Sequence, residues 1–131
     1  MEKPCVLVVD DNKTNRDLYM DLLEMTPFRG IALDDGTQAV EMVRQYRPGL
    51  VLMDINLPGR SGMEVASDII SALAEDAPPI LAMTASALPD LIERLQYHGF
   101  VGLVSKPCGV STFLEAVTWG MSDKPKDFRL F

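Results

Sequence analysis

The sequence predicts an α/β fold, a doubly wound parallel sheet with helices on both faces, and three observations predict it. Short apolar runs ending on polar residues alternate with segments in which apolar residues return every three or four positions. The runs CVLVV, LVLM and ILAM are apolar at every position. Strands covered on both faces read that way, whereas a strand with one wet face alternates. The connections are short, so each helix returns the chain to the start of the next strand, as right-handed βαβ units require.

The first strand is read at residues 4–9, ended by Asp10 and Asp11. Leu18, Leu22 and Met25 then recur at helical spacing, with Asn12 or Thr14 as the cap and Pro27 closing the segment. Residues 30–33 form the second strand, and Ala39, Val40, Val43 and Tyr46 form the stripe of a second helix that ends near Pro48. The third strand, residues 50–53, runs into Asp54 and a loop built on Pro58, Gly59 and Gly62. Ser61 and Glu64 have capping-box spacing ahead of the stripe Ala66, Ile69, Ile70, Leu73. After Pro78-Pro79 a fourth strand at 80–83 reaches Thr84, followed by the stripe Leu88, Leu91, Ile92, Leu95. The fifth strand at 101–104 leads to Lys106-Pro107, and Val110, Phe113, Leu114, Val117 and Met121 mark the fifth helix. Five strands and five helices fit a flavodoxin-like five-stranded sheet in the order 2-1-3-4-5.

The 131 residues suffice for one domain, set at 1–122 with a short tail at 123–131. No apolar run approaches the ~18 residues needed to cross a bilayer, so no membrane partner is expected. The start MEKPCVLVVDD meets two acids too early for a secretory signal, and a cytoplasmic location is expected. Cys5 and Cys108 make no metal spacing and no disulfide framework. A net charge of −7 argues against direct nucleic-acid binding and for protein partners or bound cations.

In a parallel sheet, whatever follows each strand gathers on one edge, where ligands bind. That edge receives Asp10, Asp11, Asp54, Thr84 and Lys106. Two unit charges ~4 Å apart repel by ~4 kcal/mol at an effective dielectric of ~20, so three converging carboxylates need a cation or a raised pKa. Oxygen donors without His or Cys favour a hard ion, and a partial carboxylate shell suits Mg²⁺ better than Ca²⁺. A metal beside a carboxylate, an ammonium and a hydroxyl has the parts for phosphoryl transfer, with aspartate as nucleophile.

VVDDN, LMDINLPGRSG, MTA and SKP, in that order on those elements, resemble the response-regulator receiver domain over roughly residues 4–121. The resemblance implies a two-component phosphorelay component, which is not a turnover enzyme. Asp54 would be the phosphoacceptor for a histidine kinase or histidine phosphotransfer protein. Asp10, Asp11, Asp54 and the Asn56 backbone carbonyl would hold Mg²⁺. Lys106 would contact the phosphoryl group, Thr84 would be the switch hydroxyl, and Pro107 would follow a cis peptide. Asn56 and Ser86 would tune dephosphorylation. The resemblance also implies a downstream protein target; oligomeric state stays open, since the face of the fourth helix, fifth strand and fifth helix could form a homodimer or pair with another protein.

Two departures stand out. Receivers commonly carry Tyr or Phe three residues before the lysine, where this chain has Leu103. About ten residues follow residue 121, so the sequence reads as a single-domain regulator or as the receiver fragment of a longer chain such as a hybrid kinase. The competing reading is a phosphorylation-independent docking module, favoured by Leu103 and opposed by the full acid, Thr and Lys set. An aspartyl-phosphatase would want Asp-x-Asp after the first strand, where the residues are Asp10, Asp11, Asn12. A flavin carrier would want a Ser/Thr-rich loop there instead of DDNKTN.

Overall fold

A computed structural model describes residues 3–123 and 126–131. Met1 and Glu2, at the start of the expected domain, and Lys124 and Pro125, within the expected tail, lie outside the described residues. The strands are β1 (Cys5–Val9), β2 (Arg29–Leu33), β3 (Leu50–Asp54), β4 (Ile80–Thr84), β5 (Gly102–Ser105) and β6 (Arg129–Leu130). The helices are α1 (Lys13–Leu23), α2 (Ala39–Tyr46), α3 (Gly62–Leu73), α4 (Pro89–Tyr97) and α5 (Val110–Met121), with one 3₁₀ turn at Ala74–Asp76. The sheet is parallel throughout in the order β2-β1-β3-β4-β5-β6, so the flavodoxin-like order is present and β6 extends it.

Strand residues alternate between two cores, as a period of two requires. Val6, Val8, Leu50, Leu52, Leu81, Met83 and Val104 face α1 and α5, where they meet Tyr19, Leu23, Phe113 and Val117. Leu7, Val9, Val51, Met53, Ile80, Ala82 and Leu103 face α2, α3 and α4, with Val43, Ile69 and Leu95. Every residue of β1, β3 and β4 is buried, including Asp54 and Thr84.

Several local expectations change. In α1 the buried residues are Tyr19, Leu22 and Leu23, while Leu18 and Met25 are exposed; the helix stops at Leu23, before Met25 can continue the stripe. Asn12 is the cap of α1, its side chain accepting from the Asn15 amide. Leu88 caps α4 from outside and is exposed, because Pro89 takes the first helical position that proline suits. Tyr46 lies exposed at the end of α2, under the Arg29 guanidinium. The expected Ser61–Glu64 cap is formed, the Glu64 amide donating to Ser61 Oγ at 3.3 Å.

Candidate functional site

Parallel register delivers the acidic residues to one place. Val9 pairs with Met53 across β1 and β3, so Asp10, just past β1, and Asp54, the last residue of β3, stand side by side at the strand ends. Both are buried, Asp10 1% and Asp54 5% exposed, while Asp11 is exposed. One carboxylate oxygen from each of Asp10, Asp11 and Asp54 lies within 4.8 Å of the others. At that separation each charged pair repels by about 3 kcal/mol at an effective dielectric of about 20.

Local chain geometry restrains each acid. Asp10 Oδ1 accepts from the Asn12 amide at 2.9 Å, and Oδ2 accepts from Asn15 Nδ2 at 3.4 Å and Lys106 Nζ at 3.0 Å. Arg16 donates to the Asp10 carbonyl at 2.9 Å. Asp54 Oδ1 accepts from the Asn56 amide at 3.0 Å, the aspartate-turn bond its position invites. Gly62 lets α3 start against this turn: a Cβ there would lie 2.2 Å from the Asp54 carbonyl oxygen, so no larger residue fits without moving β3. Its amide donates to the Ile55 carbonyl at 2.9 Å.

Lys106 reaches over the pair from β5. Its ammonium is 3.0 Å from Asp10 Oδ2 and 3.6 Å from Asp54 Oδ2, and its own amide donates to the Thr84 carbonyl at 2.7 Å. Thr84, buried at the end of β4, pairs with Ser105, and its hydroxyl accepts from the Ser86 amide at 3.2 Å. The Lys106-Pro107 peptide is cis.

Burial is the strongest influence on Asp54 and pushes its pKa above the ordinary carboxylate value, with Asp10 and Asp11 adding to it. The Asn56 amide and the Lys106 charge pull the other way without cancelling it. Tyr19, stacked on Phe113 at 5.2 Å between ring centroids, has its phenol pushed far up by burial, with Cys108, Asp10 and Asp54 contributing. Burial also raises the Cys108 thiol.

The sequence-derived set thus meets in part. Asp10, Asp11, Asp54 and Lys106 form one cluster, with Thr84 attached through the main chain and Ser86 through Thr84. Asn56 is exposed beside Asp54. Leu103 lies apart, fully buried in the core on the α4 side with Leu95 and Phe100. His98 is a structural residue at the end of α4, its Nδ1 2.9 Å from Ser67 Oγ of α3. Asn15 and Arg16 escaped sequence reasoning. Their signal was present, since both fall in the first turn of the helix that follows DD.

A sheet of this order, with acids at the ends of its first and third strands and a lysine after its fifth, defines a receiver domain, and residues 6–118 match the response regulator receiver domain family. The chain belongs to that family and is the receiver domain of a two-component response regulator. Among relatives it is similar to the polar-differentiation response regulator DivK of Brucella anthropi, 35% identical over 118 residues that cover 90% of this chain and 96% of that protein. DivK of Brucella ovis is 34% identical over the same shares. Among solved structures, chemotaxis protein CheY4 of Vibrio cholerae matches with a TM-score of 0.84 at 23% identity, over 90% of this chain and 98% of that one. The signal receiver domain of the putative response regulator NarL of Mycobacterium tuberculosis matches with a TM-score of 0.83 at 26% identity, over 95% and 100%. No helix among the described residues is long and apolar enough to cross a membrane.

Proposed function

We propose that Asp54 accepts a phosphoryl group from a phosphohistidine of a sensor kinase or phosphotransfer protein, in a Mg²⁺-dependent step, and that the change alters protein–protein contacts. The observation that carries this reading is the convergence of three carboxylates within 4.8 Å under a lysine that reaches two of them. The donor set fits a hard divalent ion, since every candidate ligand atom is oxygen. Asp10, Asp11, Asp54 and the Asn56 carbonyl would hold it. Bound there, Mg²⁺ would neutralise the acids and spread the charge of the phosphoryl oxygens.

An Asp54 carboxylate oxygen attacks phosphorus, forming the acyl phosphate P–O bond as the P–N bond to imidazole breaks and the imidazole nitrogen keeps the electron pair. Lys106 turns from Asp10 to the new phosphoryl oxygens, and the Thr84 hydroxyl donates to one of them. Asn56 and Ser86, exposed beside the site, control how readily water reaches phosphorus. With Leu103 locked in the core, output runs through the backbone of β4 and β5 instead of through an aromatic rotamer. The protein acts in the cytoplasm on a downstream protein, and α4, β5 and α5 offer a homodimer face.

Acetyl phosphate with Mg²⁺ should add one phosphoryl group by intact mass, and Asp54→Asn should abolish it. If the wild-type chain stays unmodified with acetyl phosphate and with a phosphorylated histidine donor, the reading fails. The second reading, a docking module that needs no phosphorylation, draws on Leu103; it predicts partner binding that is indifferent to Asp54→Asn.

A further inference from the structure

In a 2-1-3-4-5 sheet β5 is an outer strand, and an outer strand leaves a row of main-chain groups open to another chain. Here the last residues take that row. The Arg129 amide donates to the Val101 carbonyl at 3.1 Å, the Phe131 amide to the Leu103 carbonyl at 2.8 Å, and the Ser105 amide to the Phe131 carbonyl at 3.3 Å. Gly102 makes room for them: a Cβ at that position would lie 2.5 Å from the Arg129 carbonyl oxygen.

Side chains fix the strand as well. Phe131 meets Trp119 edge to face at 5.3 Å between centroids. The Arg129 guanidinium lies 4.5 Å from the Phe131 ring centre and 5.9 Å from that of Trp119, and it pairs with Glu115 of α5. Phe128 packs against the core that holds Leu103 and Phe100. Main-chain bonds with pockets for alternate side chains are how an extended peptide joins a sheet edge.

This surface touches the acidic site through one residue. Ser105 is paired with Thr84 on one side and with Phe131 on the other, and the next residue is Lys106. We propose that the β5 edge with Trp119 is a strand-docking surface, that residues 126–131 of the same chain are its occupant, and that their docking opposes occupation of the Asp54 site. The opposition rests on the phosphoacceptor reading given above. A phosphoryl group on Asp54 draws the Lys106 ammonium away from Asp10, and so pulls on the end of β5 that the docked strand holds. By reciprocity, whatever factor the docked strand costs the phosphoryl group, the phosphoryl group costs the strand.

The register supplies the test. Arg129 and Phe131 turn their amides to β5, whereas in a parallel ladder the residue between them turns its amide away. Phe131→Pro and Arg129→Pro therefore remove ladder bonds, and Leu130→Pro is the matched control. In the whole 131-residue chain, Phe131→Pro should shift the emission of Trp119, the only tryptophan, to the red and speed Ser105 amide exchange at least about tenfold, with Leu130→Pro close to wild type. Equal behaviour of the two proline variants overturns the docking.

Beryllium fluoride with Mg²⁺, a phosphoryl mimic, should bind Phe131→Pro at least about threefold more tightly than Leu130→Pro. Equal or weaker binding overturns the opposition. If neither variant nor wild type binds the mimic, the phosphoacceptor reading and the opposition fall together, and emission and exchange alone decide the docking. A wild-type dimer that Phe131→Pro dissociates, seen by sedimentation, would mean that two copies exchange the strand, and would overturn an occupant from the same chain.

Discussion

The acidic edge above β1 and β3 and the outer edge of β5 stand on the same sheet but are held by opposite means. At the first, like charges are pressed together and restrained by main-chain amides and a single lysine. At the second, main-chain groups pair with a short strand, and aromatic and aliphatic side chains close over it. The difference teaches where each region spends stability. The crowded acids call for a cation, and burial raises the Asp54 pKa, while the β5 region gains its stability from buried apolar contact.

The largest expected effect tests the β5 side of that contrast. Leu103→Ala should lose about 3 kcal/mol in denaturant unfolding, the usual cost of emptying a buried leucine site, by a similar amount at acid and neutral pH. A strong pH dependence would break the contrast. Next, replacing Asp10 and Asp11 together by Ala should slow phosphoryl uptake from acetyl phosphate at least about a hundredfold, equivalent to about 2.7 kcal/mol. Stopped-flow or mass kinetics would show it, and a rate near wild type would remove the acids from the chemistry.

A third prediction concerns stability. Burial raises the Asp54 pKa in the folded chain, so the native state binds that proton more tightly than the unfolded chain. The resulting stability is fully present below the unfolded value and is lost as pH rises through the folded one. Asparagine never ionises, so Asp54→Asn should stabilise the fold near pH 7 and leave it almost unchanged near pH 3. Thermal melts at the two pH values check the sign. The smallest effect sharpens the comparison at neutral ground: Ser61→Ala removes one helix cap and should cost about 1 kcal/mol at either pH.

The acidic edge was largely legible in the sequence, because each residue there directly follows an apolar run and the rule for parallel sheets then brings the run ends together. Asp10, Asp11, Asp54, Thr84 and Lys106 needed no knowledge of packing. Residues that act through packing were harder to read. Leu18 and Met25 fit a helical stripe, yet α1 buries Tyr19 beside Leu22 and Leu23, because the Tyr19 ring finds Phe113 on α5, almost a hundred positions away in the chain. β6 was invisible for a related reason. Two residues after a polar, proline-containing stretch carry no strand signal of their own, and their partner is the β5 backbone, whose open edge only the finished sheet creates.

The stacked pair of Tyr19 and Phe113 has an optical consequence. Burial between α1 and α5, with Cys108, Asp10 and Asp54 adding to it, pushes the Tyr19 phenol far up. Its tyrosinate absorbance should therefore emerge only as the two helices part. In an alkaline titration the molecule thus carries its own chromophore for that seam, one that needs no label.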